Sequence, residues 1–578
     1  MTRAKAFNPW ESASLAIALA IGTCPAYAFP IDTGNPDIAL RWDNSVRYNL
    51  GVRAQAQDPD ILNNTTYDNS DSKFKRGNIV ANRLDLLTES DLVYKRRSGA
   101  RVSAALWYDQ AYHSDAEKTA NASFVIPGLG DISSAYPDNR YTGFTKRWNR
   151  GPSGELLDAF IFTGFDVGTV PVNVKLGQHT IYWGESLFSF VHGVSYSQGP
   201  IDIRKALANP GVTAKEVFKP LPQLSATAQF SNELAMAGQY FLDWKPSAFP
   251  DGGTYFGVLD ALTQGGGTYV VNPAQAAAIS GAIGGIPVTP VPFIPSYRDP
   301  KKAVDWGLMA RWSPTWLNGT AGLYFRKYTD KLPQIVLGGL QSPPLAIGVP
   351  IPSSLGLSYQ AKQVTLVGGS FSTAIEGVSV SAELAHRSDT PLLMGPATFL
   401  GSEPGGNTTH ALVNAIDYFG KTAAFDSAAL TVELTFSHLD KVKKNAANFN
   451  SVDYGCKGAG EQLGCATRNA WGLTAMLVPT WFQVMPGGDL SMPLLYSIGL
   501  HGASPVLFGG YEGGSSYSAG LALDLKAKYN LALAYNGSYA RHHNDSVNAF
   551  GQPQVGGIGG IGAQWDRGWV SFTFKATF

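Results

Sequence analysis

The feature that most constrains the fold of this 578-residue chain is an alternation of apolar and polar residues that recurs along most of its length. In the last segment, Val570, Phe572 and Phe574 alternate with Ser571 and Thr573. A period of two places successive side chains on opposite faces of a β-strand. Strands with one apolar and one polar face are typical of a transmembrane barrel, which has lipid outside and a polar lumen inside.

Short turns and long loops alternate as the connections between these segments. We predict strands at 38–53, 79–95, 99–112, 156–167, 171–183, 220–230, 233–244, 303–313, 318–328, 360–372, 376–388, 409–420, 426–439, 468–483, 490–501, 513–526, 530–542 and 567–578. Bacterial barrels have short periplasmic turns and long outer loops. The sequence therefore predicts an all-β protein: a single transmembrane antiparallel β-barrel of about 18 strands, with 16 as the fallback and both termini in the periplasm.

The N-terminus has the features of a secretory signal peptide. Arg3 and Lys5 precede an apolar stretch at 15–21, and Ala26-Tyr27-Ala28 forms a cleavage site. We expect residues 1–28 to be removed and 29–578 to form a barrel integral to the outer membrane of a Gram-negative bacterium. After the N-terminus no apolar run reaches about 18 residues, so a helical membrane protein is excluded. The net charge of +0 gives no electrostatic reason to expect nucleic acid.

Charged side chains in the first three strands form the first candidate functional feature. Strand parity turns them towards the lumen, because a lysine or arginine facing the middle of the bilayer would cost about 2–4 kcal/mol. Two compatible interpretations stay open, a salt-bridge ladder in the wall and a surface that selects solutes by charge. The residues are Arg41, Arg47, Arg83, Asp85, Glu89, Asp91, Arg101 and Asp109.

The second candidate feature is the connection that follows Trp183. By parity Trp183 and Glu185 point inward at the outer mouth, and two short helical pieces are predicted beyond them, starting at Asp202 and at Thr213. We expect residues 186–219 to fold into the lumen as a constriction, with Trp183, Glu185 and Asp202 along the substrate path. An ordinary surface loop is the alternative.

Two long outer loops, 245–302 and 329–359, are unusually apolar. Loops that face water are normally polar, and a contiguous exposed apolar patch usually marks a binding surface. We expect these loops to capture hydrophobic molecules. Packing of the two loops on each other as a cap, or binding of a protein partner, are the alternatives.

Two smaller features concern metal ions and redox state. Cys456 and Cys465 lie close together in a polar segment without nearby histidines, which favours a disulfide over a metal site. The acidic segment with Asp58, Asp60, Asp68 and Asp71 lacks the glycine and the distal glutamate of a calcium loop, so we expect a solvated loop. Binding of a divalent cation or bridging of lipopolysaccharide is the alternative. The sequence predicts no metal and no cofactor.

Catalytic motifs are weak in this sequence. The nucleophile-elbow, zinc-protease and phosphate-loop motifs are absent from the sequence. His386-Arg387-Ser388 has the His-x-Ser spacing of outer-membrane phospholipase, but that family continues with Asn-Gly where this chain has Asp389-Thr390. The chemistry also needs a third group to orient the histidine, and the sequence does not identify one. We therefore expect that the chain is not an enzyme.

Several blocks of the sequence resemble a proteobacterial family known as domain of unknown function 1302. They are Ile31-Asp32-Thr33-Gly34-Asn35-Pro36-Asp37, Asn82-Arg83-Leu84-Asp85, Leu176-Gly177-Gln178, Tyr182-Trp183-Gly184-Glu185-Ser186, Pro200-Ile201-Asp202 and Pro220-Leu221-Pro222. The resemblance implies an outer-membrane barrel that occurs beside a periplasmic protein with a LolB-like lipid-binding fold and an inner-membrane exporter. It implies no activity, since none is established for the family.

Together these features predict a channel or conduit for hydrophobic or amphipathic small molecules or lipids, working without covalent chemistry. The alternatives are a porin for polar solutes and a non-conducting barrel that docks a periplasmic lipid carrier. Expected partners are outer-membrane lipid, lipopolysaccharide and the barrel-assembly machinery, which would recognise a terminal signal containing Phe574 and Phe578.

Overall fold

The structure is a computed structural model that describes most of the chain after the predicted signal peptide. The described residues are 29–64, 66–113, 135–137, 139–282, 284–298, 300, 304–341, 352–456, 464–540 and 564–578. The signal peptide predicted at 1–28 lies outside them.

Strands make up most of the described residues. In chain order they are β1 (Phe29–Ile31), β2 (Ile38–Arg53), β3 (Ile79–Tyr94), β4 (Ser98–Asp109), β5 (Ser153–Val167), β6 (Val170–His179), β7 (Leu221–Gln229), β8 (Leu234–Phe241), β9 (Tyr269–Val271), β10 (Val291–Arg298), β11 (Trp306–Trp312), β12 (Gly319–Tyr328), β13 (Gln334–Leu340), β14 (Pro352–Ser358), β15 (Val364–Ile375), β16 (Val378–Pro391), β17 (Gly405–Phe419), β18 (Ser427–Lys444), β19 (Asn469–Met485), β20 (Gly488–Ser491), β21 (Leu494–His501), β22 (Ser515–Leu525), β23 (Tyr529–Tyr539) and β24 (Trp569–Thr577).

Twenty of these strands form one antiparallel sheet that closes on itself where β2 pairs with β24. Short β1 folds back on the start of β2, and β20 and β21 share one position between β19 and β22. Pro493 separates β20 from β21, because proline has no N–H to donate to the ladder. The closed barrel therefore has 18 strand positions, and each of the eighteen predicted segments overlaps one of them.

The barrel has two different ends. One end of the barrel, called the turn end, holds the start of β2 and the end of β24. The short turns between β3 and β4, β5 and β6, and β15 and β16 also lie there. The long connections lie at the other, the loop end. This alternation of connection lengths is the one predicted from the sequence.

The outer face of the barrel is apolar. Alternate residues on each strand point outward because the closed sheet has only two faces. Exposed apolar side chains on this face include Leu84, Val102, Leu106, Ile161, Leu176, Met236, Leu308, Leu323, Val367, Leu384, Val413, Leu434, Leu521 and Leu533. Exposed aromatic side chains lie near both ends of the strands. Those at the turn end include Trp42, Tyr94, Phe165, Phe230, Trp312, Trp316, Tyr418, Phe419, Phe482 and Tyr529, and those at the loop end include Tyr240, Trp471 and Tyr539.

Helices are short and lie in the connections. The α-helices are Pro59–Leu62, Asp68–Lys73, Gly143–Thr145, Ile203–Ala208, Ala214–Val217 and Pro273–Ala282, with a π-helix at Lys146–Arg150 and 3₁₀ turns at Gln110–Tyr112, Thr315–Leu317 and Ala446–Asn448. Among the described residues, no helix has the length and apolar character that crossing a membrane requires.

The two apolar loops pack on each other at the loop end. β9 and β10 from the first loop and β13 and β14 from the second form a separate four-stranded sheet, in which β10 pairs with β14 in parallel. The first loop also contributes Phe249 and Phe256 to a buried apolar cluster inside the barrel. Of the interpretations drawn from the sequence, the described parts of the loops show the self-packed cap.

The second half of the acidic segment is buried, while Asp58 and Asp60 are partly exposed, which corrects the expectation of a solvated loop for that half. Asp68 and Asp71 are fully buried, and Asp71 accepts a hydrogen bond from Arg53 at 2.6 Å. Arg53 also contacts Asp566 at 2.7 Å, so it bridges this loop and the last long connection. The sequence expectation failed because Arg567, 3.5 Å from Asp71, and Asp566, which shares Arg53 with Asp71, come from the far end of the chain.

Candidate functional site

Residues 180–220 leave the wall after β6, cross the barrel interior and return at β7; they are called the inserted segment below. Its helices, Ile203–Ala208 and Ala214–Val217, match the two helical pieces predicted from the sequence. Asp202 caps the first helix by accepting from the Lys205 amide at 3.2 Å. Thr213 and Glu216 form a capping box at the second.

A carboxylate on the inner face of β16 holds the start of the inserted segment. Glu383 accepts hydrogen bonds from the backbone amides of Glu185, of Ser186 at 2.9 Å and of Val194 at 2.6 Å. Its neighbour Leu384 is exposed on the outer face, so Glu383 points into the lumen. One side chain thus satisfies three buried donors that belong to no helix or sheet.

A second carboxylate does the same on β18. Glu433 accepts from the amides of Leu187 at 2.7 Å, Phe188 at 3.2 Å and Ser189 at 2.7 Å. Bonds to an ionised acceptor are among the stronger hydrogen bonds in proteins. The two glutamates therefore fix a loop that has no regular structure of its own.

Arginines from the same wall bind the carbonyl groups of the inserted segment. Arg387 on β16 donates to the Val191 carbonyl at 2.5 Å and to the Gly193 carbonyl at 2.9 Å. Arg326 on β12 donates to the carbonyls of residues 194 and 196 at 2.8 and 2.7 Å. The amides and the carbonyls of one loop are thus held by charges of opposite sign.

The far side of the inserted segment is tied to the opposite wall. Arg47 on β2 forms a two-pronged contact with Glu216, at 2.9 and 3.1 Å. Burial raises the pKa of the Glu216 carboxyl, but the Arg47 guanidinium outweighs burial and brings the pKa down to about 2. Glu155 on β5 contacts Lys205 and also Lys219, the latter at 3.2 Å. The inserted segment is therefore attached to both sides of the barrel.

A cavity of about 490 Å³ lies beside the inserted segment on the side of the turn end. The barrel wall contributes Ile416, Thr431 and Met476 to its lining. The inserted segment contributes mostly apolar and aromatic side chains, among them Tyr182, Trp183, Leu187, Phe188, Phe190 and Phe218. Cavities of this size and lining are typical of sites for small apolar or amphipathic molecules.

The three residues predicted along the substrate path lie in different places. Trp183 lines the cavity and is also packed near Tyr324. Glu185 is deeper than the outer mouth where parity placed it, because β6 ends at His179 and the chain turns inward. Its carboxylate lies 3.6 Å from Arg311, near the turn end of β11. Asp202 is fully buried as a helix cap and ion-pair partner and does not line the cavity.

The predicted lumen charges are largely paired with each other. Arg83 contacts Asp85 at 2.9 Å and Arg101 contacts Asp91 at 3.3 Å. The other contacts join Arg47 to Asp85, Arg101 to Glu89, and Arg41 to Asp43, while Asp109 accepts from the backbone amides of residues 82 and 111. The pairs form a ladder across β2 to β4, and their role in selecting solutes stays a prediction.

The remaining predicted residues lie away from the cavity. Cys456 and Cys465 form a disulfide with a Cα–Cα distance of 6.2 Å. Phe574 stacks on Tyr529 at the turn end, with ring centroids 6.2 Å apart, and Phe578 continues past β24. The described residues include no group of three metal-binding side chains.

Sequence reasoning missed Glu383 and Glu433, the main anchors of the inserted segment. A signal was available, because each is an inward-facing acidic residue whose neighbours two positions away on the same face are only serine, threonine or alanine. Their partners are backbone amides from another part of the chain, which leave no pattern in the sequence.

A comparison with protein families shows to which family the chain belongs. The model of the family described as "Protein of unknown function (DUF1302)" matches residues 10–578. The chain belongs to this family. No curated protein matches the sequence.

Solved structures with a similar arrangement are remote. OccAB4 of Acinetobacter baumannii has a TM-score of 0.39 at 10% identity, over 94% of this chain and 100% of that one. A BenF-like porin from Pseudomonas fluorescens Pf-5 has a TM-score of 0.38 at 9% identity, over 94% and 98%. OpdK of Pseudomonas aeruginosa, with vanillate, has a TM-score of 0.37 at 8% identity, over 93% and 98%. At these levels of similarity the neighbours say nothing about the substrate of this DUF1302 member.

Proposed function

We propose that this protein is an integral outer-membrane channel that carries hydrophobic or amphipathic small molecules, lipids included, past the inserted segment. The turn end would face the periplasm and the loop end the exterior, as in bacterial barrels with short periplasmic turns. Transport of this kind needs binding and release along a path and no covalent step.

The outer face supports the membrane placement. Its exposed side chains are apolar along the strands and aromatic near both ends, with Trp316 and Tyr418 at the turn end and Tyr539 at the loop end among the most exposed. Aromatic side chains favour the boundary between lipid and water. The charged residues of β2 to β4 lie on the other face, which is the distribution that a surrounding bilayer requires.

The observation that carries the proposal is the apolar cavity inside the barrel. A path for ions or sugars would be lined by polar groups that replace water. Here the cavity beside the inserted segment is lined mainly by apolar and aromatic side chains, among them Trp183, Phe188 and Met476, with serines between them. Such a lining favours molecules that gain from leaving water, at about 25 cal/mol per Å² of apolar surface buried.

The contacts of the inserted segment imply that passage requires movement. Above the cavity, Val194, Phe249 and Tyr328 belong to one buried apolar cluster that joins the inserted segment, the first apolar loop and the wall. The paired charges on β2 to β4 give no specific support to a channel for polar solutes. A periplasmic LolB-like lipid carrier and an inner-membrane exporter, as partners at the turn end, remain predictions.

Photocrosslinking tests the cavity. The folded barrel, reconstituted in liposomes, is incubated with a long-chain fatty acid that carries a diazirine, irradiated and mapped by mass spectrometry. We expect adducts within residues 182–190. Ala214→Trp, which fills the cavity, should reduce them at least tenfold, whereas Lys215→Trp places the same indole at an exposed position that does not line the cavity and removes only the contact of Lys215 with Glu89.

Two results would contradict the proposal. One is an adduct pattern that Ala214→Trp leaves unchanged, which would place the lipid outside the barrel. The other is a large, steady ion conductance of the intact protein in planar bilayers, which would favour the porin for polar solutes.

A further inference from the structure

Four polar side chains meet on the outer face of the barrel, near the loop end. His386 and Ser388 lie on β16, Thr409 on β17 and Asp440 on β18, so three adjacent strands contribute. All four share the face of the exposed apolar residues Leu384, Val413 and Leu434. They are therefore separate from the lumen and from the cavity described above.

The distances form a chain from a hydroxyl to a carboxylate. Ser388 Oγ lies 3.4 Å from His386 Nε2. On the other side of the ring, His386 Nδ1 lies 3.2 Å from Thr409 Oγ1 and 3.4 Å from Asp440 Oδ2. The sequence shows only the His-x-Ser pair, and the structure supplies the third group that would orient the histidine.

Hydrogen-bond polarity fixes the tautomer of the histidine. A carboxylate can only accept hydrogen bonds, so the Thr409 hydroxyl, 3.0 Å from each carboxylate oxygen of Asp440, donates to it. Having given its proton away, Thr409 Oγ1 can only accept from His386 Nδ1. The proton of a neutral imidazole is then on Nδ1, and Nε2 presents its lone pair to Ser388. This is the tautomer in which a histidine acts as general base towards a serine.

The backbone at the serine is irregular. Between Arg387 and Thr390, two residues of β16 face one residue of β17, which is a β-bulge. Asp389 within the bulge has a φ of +65°, a region that non-glycine residues seldom adopt. Bulges of this kind re-aim a side chain and are frequent beside active sites.

Two ammonium groups contact the residue that follows the serine. Lys362 and Lys443 lie 3.0 and 3.2 Å from the same carboxylate oxygen of Asp389. These two ammonium groups and the carboxylates of Asp389 and Asp440 balance in charge, so the cluster favours neither sign of lipid headgroup.

The position of the serine suggests the substrate class. Leu384 is exposed on the same strand, and Ser388 lies four residues closer to the loop end, about 13 Å along the strand. Ser388 is therefore at the polar edge of the apolar face. In the membrane placement proposed above, that edge is where the ester groups of lipids meet water.

We propose that Ser388, His386 and Asp440 form the catalytic site of a hydrolase that cleaves acyl esters of lipids at the membrane surface. The Ser388 oxygen attacks the ester carbonyl while its proton passes to His386 Nε2. The C–O bond to the alcohol breaks and the alcohol takes that proton, leaving an acyl-serine. Water then attacks the acyl-serine, giving its proton to His386; Ser388 recovers a proton and the fatty acid is released. Asp440 is a positioning residue that acts through the histidine.

The inference rests on the proposed membrane placement but not on transport. The folded full-length barrel in detergent is treated with a fluorophosphonate probe and assayed on p-nitrophenyl octanoate and on phosphatidylglycerol in mixed micelles. We expect the probe on Ser388, and no label or turnover in Ser388→Ala. His386→Asn and Asp440→Asn should lower kcat by on the order of 10²-fold or more. In Asp440→Asn the KM should not change, and Asp440→Glu should recover part of kcat.

His501→Asn is the matched control, because His501 is an exposed histidine at the loop end of β21 that pairs with Glu512 at 3.2 Å, and β21 is not one of the three strands of the proposed site. It should keep full activity, and the heat-dependent mobility shift on gels verifies folding of each variant. Absence of both labelling and turnover in the folded wild type would overturn the hydrolase, as would labelling that persists in Ser388→Ala. Because none of these assays uses the lumen, their failure would leave the channel proposal untouched.

Discussion

Replacing Glu433 with alanine tests whether carboxylates on the wall hold the inserted segment in place. The change removes the acceptor of three backbone amides, at 2.7, 3.2 and 2.7 Å, from a fully buried position. A hydrogen bond to a charged group contributes about 1.5–3 kcal/mol, and water entering the space left by the side chain would recover part of the loss. We therefore expect local opening of the segment to become easier by about 3–4 kcal/mol, which is about 10²- to 10³-fold in its equilibrium constant.

Hydrogen exchange measured by mass spectrometry at neutral pH is the direct assay. Amides in residues 185–198 should exchange about 10²- to 10³-fold faster in Glu433→Ala, while those of the barrel strands keep their wild-type protection. The same variant should conduct ions in planar bilayers more often than the wild type. Glu376→Ala, which removes an exposed carboxylate in a short turn, is the control.

The reasoning would be refuted by unchanged exchange in residues 185–198. That result would mean that the apolar cluster, and not the two glutamates, fixes the inserted segment. A loss of protection spread over the barrel strands would refute it in another way, because Glu433 would then support the wall itself.

Three further predictions concern the interior and the loops. Burial, and then the positive charge of Arg387, lower the pKa of His192 to about 4. The folded state therefore keeps the full contribution of neutral His192 above pH 6.5 and loses about 1.4 kcal/mol of stability per pH unit as the pH falls from 6.5 towards 4. The conductance of the wild type should rise at pH 4.5, and the conductance of His192→Gln should rise less. Asp202→Ala leaves buried cations without their carboxylate and should cost about 3–5 kcal/mol, seen as a lower temperature of the gel mobility shift, with Asp202→Asn intermediate. Replacing Cys456 and Cys465 with serine opens a loop with a sequence separation of 9 and should destabilise it by about 3 kcal/mol, so trypsin should cut within 440–468 faster while the barrel stays resistant.

Much of the barrel can be predicted from the sequence, because the alternation of apolar and polar residues in a strand shows which face of the sheet contacts lipid and which contacts the lumen. The prediction at 38–53 coincides with β2, since Trp42 and Tyr48 alternate with Arg41 and Arg47 over the whole span. The lengths of the turns showed which strands are neighbours in the sheet, because two strands joined by a short turn must pair in antiparallel orientation. Closure and an even strand number then followed from the need to leave no edge in lipid.

The arrangement of the barrel interior could not be predicted from the sequence. Its contacts join residues that are distant along the chain and show no regular spacing. Parity continued β6 to Trp183, whereas the strand ends at His179, where the chain turns inward to the amide-binding carboxylates. The apolar loops were expected to capture ligands, yet β10 and β14 pair with each other.

The outer polar cluster shows the same division. The sequence alone determined that His386 and Ser388 share one face, because they are two residues apart in a strand. It could not identify Asp440, which lies 54 positions later and reaches the histidine only because β17 lies between the two strands. Local periodicity determined which way each strand faces, while strand register and loop packing, which depend on the whole closed sheet, decided which side chains meet.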